Sequence, residues 1–75
     1  MTLQVASLKD SAAADRMVQS LTAKGFAAYL VAADVSGKGR WYRVRVGAFK
    51  DADEAALILR KLKQAGRSPI LVKRD

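Results

Sequence analysis

Cysteine and histidine are both absent from this chain, and their absence removes whole classes of chemistry. Without cysteine there are no disulfides and no thiolate metal ligands. Without histidine the commonest general base and metal ligand is missing too. A serine nucleophile would therefore need a lysine or carboxylate base, and nothing in the sequence places one beside Ser7, Ser11, Ser20, Ser36 or Ser68. The chain reads as noncatalytic, with no metal and no cofactor expected. No apolar run approaches the roughly 20 residues that span a bilayer, and Met1-Thr2-Leu3-Gln4 lacks the basic region and apolar core of a signal peptide. Direct membrane insertion by this chain is not expected. Acidic residues are few, 7 against 14 basic, for a formal net charge of +7. Such a balance predicts an anionic partner or surface, whether nucleic acid, membrane or acidic polysaccharide. The length of 75 residues makes one domain, and folding at this size hides only about 60% of the unfolded chain's surface. A deep buried active site has no room, so function should lie on the surface.

What is present is a duplication. Val5-Ala6-Ser7-Leu8-Lys9-Asp10 matches Val46-Gly47-Ala48-Phe49-Lys50-Asp51, and the register holds onward, with Leu21 on Leu62, Gly25 on Gly66 and Leu30-Val31 on Leu71-Val72. Each half runs from a β-type stretch through a helical stretch to a second β-type stretch. The whole reads as βαβ followed by βαβ.

Leu3 and Val5 alternate with Gln4 and Ala6, the period of a strand with one buried face. Over Asp10 to Lys24 the period changes. Ala14, Met17, Val18 and Leu21 share one helical face, Asp10 or Ser11 caps the start, and Gly25 ends the helix. Phe26 to Ala33 is a second strand with an undecided inward face, followed by a polar, glycine-bearing loop over Asp34 to Gly39. Arg40 to Val46 alternates clearly, with Tyr42, Val44 and Val46 on one side and Trp41, Arg43 and Arg45 on the other. Asp51 and Glu54 form a capping box with Asp as the cap, Ala55, Ile58, Leu59 and Leu62 repeat the first helix's stripe, and Gly66 stops the helix. Ile70-Leu71-Val72 is the last strand, with Pro69 at its start.

Two such units in series predict an α+β fold, the ferredoxin-like or RNP-type βαββαβ sandwich. Its four-stranded antiparallel sheet carries both helices on one face and leaves the other open. The first and third strands are then central, and Gln4, Trp41, Arg43 and Arg45 share the open face. Leu8 and Phe49 both fall out of parity with the apolar residues before them. A bulge or strand end near Ala6-Ser7 and Gly47-Ala48 would return them to the core and free Ser7 to approach the open face.

Among candidate sites, Asp51 with Glu54 is a helix cap, and Ser36-Gly37-Lys38-Gly39 is a turn: it precedes a strand, whereas phosphate loops precede a helix. Basic residues Arg60, Lys61, Lys63 and Arg67 read as a solvated face near a helix C-terminus. Trp41 has no register mate in the other half and lies on the solvent side by parity. Either it folds over an edge onto an arginine stem, or it is a stacking platform for a sugar or a base, with Arg43 and Arg45 near enough to pair with an anionic group. An RNA-binding module of this fold stacks bases on aromatics of both central strands, but Gln4 and Ala6 stand where the second aromatic belongs. A polysaccharide reader needs one aromatic together with amide, hydroxyl and guanidinium groups, the mixture that Gln4, Ser7, Trp41 and Arg43 supply.

Leu3-Gln4-Val5-Ala6-Ser7-Leu8 and Tyr42-Arg43-Val44-Arg45-Val46-Gly47-Ala48-Phe49 resemble the first- and third-strand motifs of the SPOR domain, the sporulation-related repeat of bacterial cell-envelope proteins. The resemblance runs from Leu3 to Val72, within a single domain spanning 1–75 with its core over about 2–73. Departures are Ala6 where that family favours Gly, Leu8 for Phe and Ala48 for Pro. The resemblance implies binding to peptidoglycan, specifically to glycan strands stripped of stem peptides, as arise at a division septum, and so a place in the cell envelope within a larger protein. It further implies glycan contacts by Gln4, Ser7 and Trp41; Arg43 and Arg45 beside them are expected to pair with lactyl carboxylates, and the module is expected to be a monomer. An RNA-binding module using the basic sheet face is the alternative.

Overall fold

In a computed structural model, which describes residues 1–73, the chain forms β1 (Thr2–Leu8), α1 (Ser11–Ala23), β2 (Ala28–Val35), β3 (Gly39–Val46), α2 (Ala52–Gln64) and β4 (Ile70–Val72). The sheet order is β2-β3-β1-β4 and every pairing is antiparallel. This is the expected βαββαβ arrangement with the first and third strands central. Leu3, Val44 and Val46 from the sheet, Ala14 and Leu21 from α1, and Ala55 and Leu62 from α2 form one buried cluster. Both helices therefore cover the same sheet face. Truncating a leucine from such a core costs about 2–5 kcal/mol.

The helix ends follow from local chemistry. Asp10 accepts the Ala12 N–H and Asp51 the Glu54 N–H, each satisfying one of the unpaired donors of a first turn. Both helices stop in the same way. Gly25 N donates to Thr22 O and Phe26 N to Leu21 O, and Gly66 N to Lys63 O and Arg67 N to Leu62 O. These paired bonds define a Schellman stop, which requires the left-handed conformation that Gly25 and Gly66 supply at φ of +93° and +83°.

That stop corrects one expected boundary. Phe26 closes α1, so β2 begins at Ala28 rather than Phe26 and runs on to Val35. The expected loop then shrinks to a tight turn in which Lys38 N donates to Val35 O at 2.9 Å. The inward face of β2 is settled as well: Ala28 and Leu30 pack on the core, which puts Tyr29 and Val31 on the open face.

Both parity breaks exist. In β1, Gln4 pairs with Arg45 but Ala6 pairs with Val44, so Val5 is an extra residue and the register shifts there. The bulge thus lies slightly ahead of the expected Ala6-Ser7. Its effect corrects the sidedness of Ala6, which was expected outward. Val5, Ala6 and Leu8 all pack against the core, while Ser7 pairs with Arg43. At the other end Leu3 pairs with Val46, yet Met1 exchanges backbone hydrogen bonds of 2.7 and 2.6 Å with Phe49. The extra residue there lies at Gly47-Ala48, and Phe49 turns back onto the core.

Gly47 makes that second break possible. Its φ is +75°, and a Cβ built there would run into the Phe49 ring. Gly25 has a similar φ but nothing within 4 Å of a built Cβ. Gly25→Ala is therefore expected to cost about 1–2 kcal/mol from backbone strain alone, and Gly47→Ala about 1–3 kcal/mol beyond that from overpacking. Urea midpoints at unchanged slope measure both; equal losses would show that Phe49 yields without cost.

Candidate functional site

The open face is built row by row from the register. One row reads Tyr29, Arg45, Gln4, Ile70 across the four strands, and another brings Val31, Arg43 and Ser7 side by side. Trp41 follows on β3, opposite Ala33. All five residues singled out from the sequence, Gln4, Ser7, Trp41, Arg43 and Arg45, therefore lie on this face. They form two groups.

The first group is closed over. Arg45 is only 2% exposed, although its strand position faces away from the helices. Its Nε donates to Gln4 Oε1 at 3.3 Å. The cover comes from Tyr29, whose hydroxyl donates to Thr2 Oγ1 at 2.8 Å, while Thr2 Oγ1 donates to Val46 O at 3.2 Å. Since β3 lies between β2 and β1, a Tyr29–Thr2 bond carries the phenol ring across β3 beside Arg45. An arginine on the open face is thus a buried one, hydrogen-bonded to Gln4. With Oε1 engaged, the Gln4 Nε2 group is left to donate outward.

The second group stays open. Ser7, Trp41 and Arg43 line a shallow depression of about 250 Å³, completed by Val35 and Lys38. Trp41 is half-buried. Lys9 Nζ stands 5.4 Å from the indole centroid, within cation–π range, a contact of about 0.5–1 kcal/mol at an exposed site. The site therefore combines an apolar ring, a hydroxyl, a guanidinium and an ammonium. Such a set has the chemistry to complement a polar ligand that has one apolar face and negative charge.

Lys9, Lys38, Val35 and Tyr29 were not among the residues marked from the sequence. Lys38 carried a signal, since it stands in a short glycine-flanked turn three residues before Trp41, the first of the alternating strand's aromatic pair. Lys9 follows directly on Leu8, at the end of the first-strand motif. Further out, Arg40 Nε binds Asp34 Oδ1 at 2.9 Å on the surface. The hydrogen bond from Arg40, reinforced by its charge, holds the Asp34 carboxyl below its ordinary value of 3.8. Among the described residues there is no cluster of acidic side chains fit to hold a metal, and no helix is long and apolar enough to cross a membrane.

The family model described as SPOR domain matches residues 1–73, essentially the whole described chain. No curated protein and no solved structure is similar enough to match.

Two expectations follow from this geometry. Arg45→Ala removes a buried side chain and its bond to Gln4, whereas Arg43→Ala trims a half-exposed one; the first should destabilise by about 2 kcal/mol more, read from thermal or urea unfolding. For Asp34, a lowered pKa in the folded state means that its contribution is complete above the ordinary value and is lost as pH falls through the lowered one. In Arg40→Ala the Asp34 carboxyl should titrate at its ordinary value, as followed by carboxyl carbon NMR.

Proposed function

The chain belongs to the SPOR domain family, whose members bind peptidoglycan, and we propose that it is a noncatalytic module that recognises glycan strands lacking stem peptides and localises its parent protein to the division septum or cell wall. The observation that carries this is the depression on the open sheet face, where Ser7, Trp41 and Arg43 meet. Removing the peptide from a muramic acid residue leaves a free lactyl carboxylate on alternate sugars. A denuded strand is thus a regular array of pyranose rings and negative charges. A chain with a formal net charge of +7 attracts it at long range.

Each residue has a part. Trp41 stacks on a sugar ring. Ser7 and the outward amide of Gln4 hydrogen-bond hydroxyl or acetamido groups. Arg43 pairs with a lactyl carboxylate. Arg45 contributes at one remove, by holding Gln4 in the orientation described above. Places of this kind, in the envelope, suit a family found in cell-envelope proteins. Against an RNA-binding role stands the first central strand: its outward positions are Thr2, Gln4 and Ser7, and the one further aromatic on the face, Tyr29, has its hydroxyl tied to Thr2.

Sedimentation with purified sacculi tests the proposal. Amidase-treated sacculi should pull down more of the protein than untreated ones. Trp41→Ala should weaken that binding by about 1–3 kcal/mol, the range measured for loss of a stacking aromatic, or about five- to 150-fold. Equal binding to both kinds of sacculi, or binding untouched by Trp41→Ala, would overturn it. Salt-sensitive retention of single-stranded RNA that Arg43→Ala weakens would favour the RNA-binding module instead.

A further inference from the structure

Three cations surround one indole. Lys9 Nζ lies over the Trp41 ring, and Lys38 and Arg43 line the depression that Trp41 opens into. Lys9 is not among the residues that line that depression. No described carboxylate bonds to any of the three; the ion pair nearby is Asp34–Arg40. The backbone of Lys38 is fixed by its turn. Its own N–H closes the turn onto Val35 O, and the glycines on either side hold the left-handed conformations, φ +74° at Gly37 and +83° at Gly39, that the turn needs. Arg43 is held by the two central strands and pairs in register with Ser7.

Two positive groups at the margin of an aromatic platform discriminate between sugars. A neutral hexosamine stacked on Trp41 would leave Lys38 and Arg43 facing water. A hexosamine with a carboxylate on its own ring substituent brings the charge to the margin, where an ammonium and a guanidinium meet it from two directions. Resting on the glycan-binding function proposed above, we infer that the sugar stacked on Trp41 is the carboxylate-bearing one, that Lys38 and Arg43 together read its carboxylate, and that Lys9 is a positioning residue that holds the indole. Specificity for peptide-free strands then comes from the Lys38–Arg43 pair, because a carboxylate in amide linkage to a peptide carries no charge for them to bind.

Trp41 is the chain's only tryptophan, so its emission reports the site directly. The protein is titrated with soluble peptide-free glycan oligomers, and with the same oligomers after their carboxylates have been converted to methyl amides. Wild type should bind the acid form tenfold or more tightly than the amide, the ratio expected from about 1.5–3 kcal/mol for a hydrogen bond to a charged group. Lys38→Met should lose about that factor on the acid form and change little on the amide form, and Arg43→Met should do the same. Lys9→Met should weaken both oligomers alike and shift the emission of the free protein. Circular dichroism melts confirm that each variant is folded. If wild type binds both oligomers equally, or if Lys38→Met weakens both to the same extent or neither, the inference is overturned while the glycan-binding function stands. If wild type binds neither oligomer, both are overturned.

Discussion

One extra residue in β1 decides what the sheet can offer. Without the bulge at Val5, strict alternation after Leu3 and Val5 would turn Ser7 toward the helices and leave Leu8 in water. The bulge forfeits regular ladder bonding at one position, about 0.5–1.5 kcal/mol. Packing Leu8 partly against the core recovers a share of the roughly 1.5–3 kcal/mol that full burial of a leucine contributes, which offsets the lost bond. The same shift brings Ser7 beside Arg43 on the opposite face. The apolar requirement of the core and the polar requirement of the site are met by one local distortion, and neither can be altered without the other.

Much of this was legible in the sequence because it rests on periodicity. The apolar stripes of the two helices, their Asp caps and Gly stops, and the alternation of β3 are local patterns, and the structure reproduces them. The existence of both parity breaks was legible too. Their placement was less so: any extra residue between Val5 and Leu8 restores Leu8 to the core, and only the partner strand determines which residue it is. The inward face of β2 was hidden by an unbroken run, Ala28-Tyr29-Leu30-Val31-Ala32-Ala33, that offers no alternation. The burial of Arg45 was illegible for a different reason. Its strand parity is outward, as read, but its cover is a tyrosine from β2 bonded to a threonine on β1, a contact between residues far apart in the chain. Lys9 and Lys38 lie in turns, where no period marks sidedness.

The duplication acquires a geometric centre. Gln4 is the register mate of Arg45, and Tyr29 that of Ile70, so the row Tyr29, Arg45, Gln4, Ile70 maps onto itself when the halves are exchanged. The Arg45–Gln4 hydrogen bond sits on this pseudo-twofold axis. Around it the flanks differ, since Tyr29, 37% exposed, bonds to Thr2 while Ile70 is 59% exposed. The depression lies off the axis, toward Trp41, where the halves have diverged. Symmetry builds the sandwich; departure from it builds the site.

The pairing of Thr2 with Val72 has a mechanical consequence. Because β1 and β4 are antiparallel neighbours, chain entering at Thr2 and chain leaving at Val72 do so side by side at one end of the sheet. Tension applied between those two points would open β4 one hydrogen bond at a time, like a zip, and the three-residue strand resists this weakly. Tension between a ligand on the open face and Thr2 is carried differently. It loads β1 along its length, between two partner strands, so that many bonds must shear together. A domain of this topology is compliant to a pull between its own ends and stiff to a pull between its ligand and its N-terminal strand, the property of an anchor.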